Sequence, residues 1–204
     1  MNKSLRIVLV IAGLILLGLL LKPASYPITN AEPRGRSVVS FGDSLTYGTG
    51  AAAGQDYPAV LAGLLGEPVI NLGVPGNTTA DALARLDEVI EQEPRIVLLT
   101  LGGNDLRKGV DAQTAFANLR QIVTRLQEQG ALVVIGGLEI PLLDKGYAAA
   151  YRALAEETGS LLVANVLEDM LGDSALMSDQ IHPNAQGYAL MAGYFHRVLQ
   201  PYLR

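Results

Sequence analysis

The sequence predicts an α/β protein: a parallel sheet with helices on both faces. Three observations carry that expectation. Strand-like and helix-like stretches alternate five times along the chain, the pattern of a sheet built from β-α-β units. The central strand candidate, Arg95–Leu101 (RIVLLTL), is a continuous apolar run, as expected of a strand covered on both faces. The length of 204 residues, with no internal repeat, suits one domain with a sizeable core.

In chain order, Arg36–Phe41 (RSVVSF) reads as the first strand and runs into a glycine-rich turn. Tyr57–Leu65 reads as a short amphipathic helix. Glu67–Leu72 (EPVINL) is the second strand, with Pro68 at its start. Thr78 is placed to cap the next helix, and Asp81 three residues on makes a variant capping box. That helix carries Leu83, Leu86, Val89 and Ile90 on one face. After the central strand, Ala112–Gln129 shows Phe116, Leu119, Ile122, Val123 and Leu126 at helical spacing and stops at Gly130. Ala131–Ile135 (ALVVI) is a fourth strand, Gly146–Glu157 a helix and Leu161–Val166 a short fifth strand. Asn184–Gln200 is the last helix, with Met191, Phe195, Val198 and Leu199 inward.

Ahead of these elements lies Ile7–Leu21, 15 residues without a polar side chain, bracketed by Lys3, Arg6 and Lys22. A signal's apolar stretch runs to about 7–15 residues, whereas a spanning helix usually needs about 17–25. Counting Leu5 and letting Arg6 reach the interface brings this run near spanning length. Cleavage after Ala24 or Ser25 puts Lys22 or Pro23 where a small residue belongs. The expectation is an uncleaved apolar helix over residues 1–22, in contact with membrane lipid, with a removed signal as the alternative. Lys3 and Arg6 favour an inside N-terminus, which exports the remainder to the periplasm or exterior. Residues 23–35 hold three prolines and no periodicity and read as a linker, leaving 36–204 as the domain.

Composition removes several function classes. With no cysteine, there are no disulfides, thiolate metal sites or cysteine nucleophiles. Two histidines make a histidine-rich zinc site a poor expectation. Lys3, Arg6 and Lys22 are three of the fifteen Lys and Arg, so the rest of the chain carries 12 bases against 20 acids, net −8. Such a body has no basic stripe for nucleic acid. No GK[ST] phosphate loop is present, and the glycines around Gly48–Gly54 do not keep dinucleotide-binding spacing.

Ligands of parallel sheets bind beyond the carboxyl ends of the strands. The loops there hold Gly42-Asp43-Ser44-Leu45, then Gly73 to Thr78, then Gly102-Gly103-Asn104-Asp105, then a long loop from Gly136 to Lys145, and finally Asp179-Gln180-Ile181-His182-Pro183. Singly, each has a plainer role: Ser44 as a helix cap, Gly73 and Asn104 as turn residues, His182 as a surface loop residue. Together they supply the parts of acyl transfer to water. Ser44 is a nucleophile if a base takes its proton, and His182 is such a base. Asp179 is close enough to orient the ring and fix its tautomer. The Ser44 amide, the Gly73 amide and the Asn104 side-chain NH2 are candidate donors to an oxyanion. His196, in the last helix, reads as a partly exposed residue without a catalytic role.

The blocks Phe41–Thr46, Gly73–Thr79, Gly102–Asp105 and Asp179–Pro183 resemble, in order, the four blocks of the GDSL/SGNH hydrolases, over about residues 37–200. They are most similar to the bacterial branch of arylesterases, acyl-CoA thioesterases and lysophospholipases. The resemblance implies a flavodoxin-like three-layer α/β/α sandwich with no metal or cofactor. It implies Ser44 as nucleophile, Asp179 and His182 as its partners, and Ser44, Gly73 and Asn104 as the oxyanion hole. The substrate so implied is a small acyl ester, a thioester or a lysophospholipid. The loop Gly136–Lys145 differs from the branch's usual sequence, and its Leu138, Ile140 and Leu142 are the expected substrate-binding residues. Two alternatives stand beside this: a deacetylase of cell-envelope carbohydrate, which needs a polar open cleft, and an inactive binding module, which predicts loss of a site residue.

Overall fold

The computed structural model of the chain describes residues 26–140 and 146–203. The apolar run 7–21 and Leu142 lie outside them. Among the described residues no helix is long and apolar enough to cross a membrane.

One sheet of five parallel strands organises the fold. Its strands are β1 (Ser37–Gly42), β2 (Val69–Gly73), β3 (Pro94–Thr100), β4 (Leu132–Gly136) and β5 (Leu161–Val163), in the order β2-β1-β3-β4-β5. The helices are α1 (Ser44–Tyr47), α2 (Tyr57–Leu65), α3 (Thr79–Ala84), α4 (Asp87–Ile90), α5 (Gly103–Lys108), α6 (Ala112–Glu128), α7 (Tyr147–Thr158) and α8 (Ala185–Leu199), followed by a single 3₁₀ turn. The expected α/β/α architecture is therefore what forms. Val38, Val39 and Phe41 of β1, Ile96–Leu99 of β3 and Leu132–Ile135 of β4 are all buried. Apolar runs rather than alternation mark these strands because both faces are covered. The α6 stripe read from the sequence, Phe116 to Leu126, is the buried face of that helix.

Three elements differ from expectation. The helix begun by Thr78, with its capping box to Asp81, breaks in two. The break falls at Arg85, whose φ of −113° and ψ of 19° leave the helical region. Its guanidinium turns inward to backbone carbonyls, as described below. A short helix, α5, occupies what reads as a loop, starting after Gly102 at φ +114° and ending at Gly109 at φ +75°. β5 stops at Val163 because the chain then folds back: the Gly137 amide takes the Val163 carbonyl, and the Val166 amide takes that of Gly137.

Residues 26–36 form no regular element, in keeping with their lack of periodicity, yet they are bound along the sheet. The Tyr26 hydroxyl donates to the Ser160 carbonyl and the Thr29 amide to that of Gly159, just before β5. The Arg34 amide donates to the Gly130 carbonyl before β4, and the Arg36 amide to that of Glu93 before β3. The strap thus crosses the edge where the strands begin. Asn30 is its pin. Its Nδ2 donates to the carbonyls of Gln127 (2.9 Å) and Ala131 (3.0 Å), which close the end of α6. Its φ of 54° is left-handed, a conformation asparagine tolerates better than alanine. Asn30→Ala is expected to cost about 2 kcal/mol, from two lost hydrogen bonds and backbone strain, and Asn30→Gly less. Urea melts of both variants check the order; a glycine variant as weak as the alanine one removes the strain component.

Candidate active site

The order β2-β1-β3 makes the chain leave β1 and β3 in opposite directions, which opens a crevice at their carboxyl ends. Ser44 stands there as the first residue of α1, directly after β1. Asp43 caps that turn, its Oδ1 accepting from the Leu45 amide at 3.0 Å.

Across the crevice, the loop before α8 carries Asp179 and His182. Asp179 Oδ1 accepts the amides of Ile181 (2.8 Å) and His182 (2.7 Å), curling the loop tightly. Its Oδ2 lies 2.7 Å from His182 Nδ1, and His182 Nε2 lies 3.0 Å from Ser44 Oγ. The His182 carbonyl is itself held by the amide and hydroxyl of Ser178. Partial burial works to raise the Asp179 pKa. The His182 side chain and the two amides outweigh it and hold the carboxyl down at about 2. Asp179 is therefore an anion at any pH where the site operates, although 52% of its side chain is exposed.

Asn104, at the start of α5, completes this group. Its Nδ2 donates to the Asn77 carbonyl at 2.9 Å and to Asp43 Oδ2 at 3.2 Å, and its Oδ1 accepts from Arg107 at 3.1 Å. Gly73 lies against α1, but its amide is already engaged, donating to Asn71 Oδ1 at 2.9 Å. Glycine is required there for packing: a Cβ would lie 2.2 Å from the Tyr47 amide nitrogen.

The cavity has a volume of about 410 Å3. Asp43, Ser44, Asn104, Arg107 and His182 are the polar side chains of its lining, and Leu45, Leu106, Leu138, Ile140, Leu167 and Ile181 the apolar ones. Leu138 and Ile140, expected from the sequence to meet substrate, are among the residues lining this cavity. Among the described residues, no cluster of three or more His, Cys, Asp or Glu is placed to hold a metal ion.

The profile of the GDSL-like lipase/acylhydrolase family matches residues 40–190. The chain belongs to this family. It is 30% identical to the thioesterase 1/protease 1/lysophospholipase L1 of Escherichia coli K12, over 81% of this chain and 84% of that one. It is also 30% identical to an acetylxylan esterase of Geobacillus stearothermophilus, over 81% and 94% of the two chains. The crystal structure of TesA superposes with a TM-score of 0.78 at 27% identity, covering 82% of this chain and all of TesA.

Three residues of this GDSL-like hydrolase that build the site escaped the sequence reading. Arg85 falls within the stretch read as the helix after Thr78. Its Nε donates to Asn77 Oδ1 (2.7 Å) and its Nη2 to the carbonyls of Gly42 and Leu72 (3.0 Å each), with the guanidinium stacked over Phe41. Arg107 lies just after the Gly102–Asp105 block. Asp43 was quoted only as a neighbour of Ser44, although a carboxylate closing a buried strand was a usable signal.

Asp43 is 3% exposed. Burial pushes its carboxyl up from 3.8 to about 6, against the Leu45 amide and the His182 charge, which pull it down. Between those pH values the folded chain holds more protons than the unfolded one, so this group's contribution to stability falls as pH rises. Above about pH 6 the buried carboxylate carries a penalty of roughly 3 kcal/mol, which Asp43→Asn lacks. The stability of Asp43→Asn relative to wild type is therefore expected to rise by up to roughly 3 kcal/mol between about pH 4 and pH 7. Urea melts across that range measure it; a flat difference would show that Asp43 is not the buried group that titrates.

Proposed function

We propose that this chain is a serine hydrolase of acyl esters or thioesters, with Ser44, His182 and Asp179 as its catalytic triad. The observation that carries the reading is the unbroken line of hydrogen bonds from Asp179 through His182 to Ser44 Oγ, ending at an apolar cavity. Neutral His182 takes the Ser44 proton at Nε2 as Oγ attacks the acyl carbon. The tetrahedral intermediate collapses when the same Nε2 protonates the departing alcohol or thiol. A water, deprotonated by His182, then releases the acid from Ser44. Asp179 holds the ring in the productive tautomer and stabilises its positive charge.

The oxyanion of each tetrahedral intermediate falls to the Ser44 amide and the Asn104 NH2. The third donor in this reading is the Gly76 amide rather than that of Gly73. The Gly76 amide has no hydrogen-bond partner among the described residues, and the neighbouring Asn77 carbonyl holds Asn104. The apolar wall favours a single acyl chain, as in a simple ester, a thioester or a lysophospholipid, over an acetylated sugar. Residues 1–22 would tether the enzyme to the inner membrane, with the catalytic domain outside.

The test is hydrolysis of p-nitrophenyl esters of two to sixteen carbons by the full-length chain in detergent. A lysophospholipid, an acyl-CoA and an acetylated xylan run alongside. Turnover is expected to be faster on a longer acyl chain than on acetate, and Ser44→Ala to abolish it without moving the thermal midpoint. A preference for the acetylated polysaccharide would replace the apolar-acyl reading with the deacetylase one.

Within the triad, the two partners of Ser44 are not equivalent. His182 moves protons in both half-reactions, so His182→Ala is expected to cost nearly as much kcat as Ser44→Ala, because members of such a unit are not additive. Asp179→Ala is expected to leave measurably more turnover. Equal loss in both, with the fold intact, would mean that Asp179 does more than orient the ring.

A further inference from the structure

Asn104 is engaged at every polar atom. A carboxamide nitrogen carries two hydrogens. One goes to the Asn77 carbonyl at 2.9 Å and the other to Asp43 Oδ2 at 3.2 Å. Arg107 fixes the Oδ1 end. Both hydrogens are thus committed before a substrate arrives, yet the oxyanion requires one. The two bonds are not equal. Asn77 is itself pinned by Arg85 Nε at 2.7 Å, so the shorter bond belongs to a fixed frame. The longer one, to Asp43, is the bond available for exchange.

We propose that Asp43 is a positioning residue for Asn104, holding its second N–H beside Ser44 and yielding that hydrogen to the oxyanion when the tetrahedral intermediate forms. The proposal rests on the esterase reading above. Asp43 is built for the part. It adjoins Ser44 in the chain, and its Oδ1 is tied to the Leu45 amide at 3.0 Å, which fixes the direction of Oδ2. Asp43 is only 3% exposed, so little of it meets solvent beyond the cavity it lines. Both carboxylate oxygens only accept, so the Asn104 amide has a single favourable orientation, nitrogen toward Asp43. An asparagine at position 43 that kept the Leu45 cap would turn its own NH2 toward that of Asn104, opposing donor to donor. The exchange also balances in charge. As Asp43 loses a donor, His182 becomes positive in the same step, and a charge there favours the Asp43 carboxylate. The other carboxylate nearby, Asp105, is committed to the amide and hydroxyl of Thr79.

A double-mutant cycle tests this on one p-nitrophenyl ester, with wild type, Asp43→Asn, Asn104→Ala and the double variant made as full-length chains. Asp43→Asn is expected to lower kcat by about 10–100-fold with KM nearly unchanged. Added to Asn104→Ala, it is expected to cost less than about threefold more, since nothing is left to position. Equal penalties in the two backgrounds, or an effect confined to KM, overturn the proposal. A crystal structure of wild type carrying a phosphonate on Ser44 tests it without any variant. A phosphonyl oxygen on Asn104 Nδ2, with Asp43 Oδ2 moved beyond about 3.5 Å, supports the exchange; an adduct in which Asn104 keeps Asp43 overturns it. A wild type that hydrolyses no ester takes down the esterase reading and this proposal together, whereas turnover with additive penalties removes only the role of Asp43.

Discussion

The guanidinium of Arg85 holds the carboxyl edge of the sheet together. Three chain segments meet there: β1 at Gly42, its neighbour β2 just past Leu72, and the loop at Asn77. One side chain binds all three. Its planar fork suits the task, since its donors diverge in one plane and its face stacks on Phe41. The Asn77 carbonyl, fixed in this way, takes Asn104 from the end of β3. A cation with 14% of its side chain exposed thus links β1, which leads into Ser44, to the Asn77 carbonyl that holds Asn104.

Much of the fold was legible because it rests on local rules. Buried strands announce themselves as apolar runs, α6 as a stripe at helical spacing, and the start of α3 as a capping box. What was not legible depends on partners distant in sequence. The break between α3 and α4 cannot be read from residues 79–90, because the carbonyls that draw Arg85 inward belong to β1 and β2. α5 is short and flanked by glycines, so no periodicity has room to appear. Residues 26–35 lack any repeat, yet their backbone finds partners at the starts of two strands.

The site divides along the same line. Ser44, Asn104, Asp179 and His182, singled out because few residue types suit such chemistry and each follows a strand, lie together at one end of the sheet. Gly73 shows where that logic ends. A glycine after a strand is compatible with donating to a substrate and with permitting close packing. Only the position of its amide, turned to Asn71, and of α1 against its α-carbon distinguishes the two. Asp43 went unnoticed because its value lies in being buried and in facing Asn104, neither of which is written in the motif.

The strap along the opposite edge of the sheet gives the domain a direction. The chain enters at Tyr26, beneath the start of β5, while Ser44 opens at the far ends of the strands. A domain of this size is about 40 Å across. The strap is bonded at the starts of β5, β4 and β3 in turn, which fixes residues 26–36 to this edge of the domain. Under the proposed tethering, the anchor would join the domain on the side of the sheet away from the mouth of the cavity.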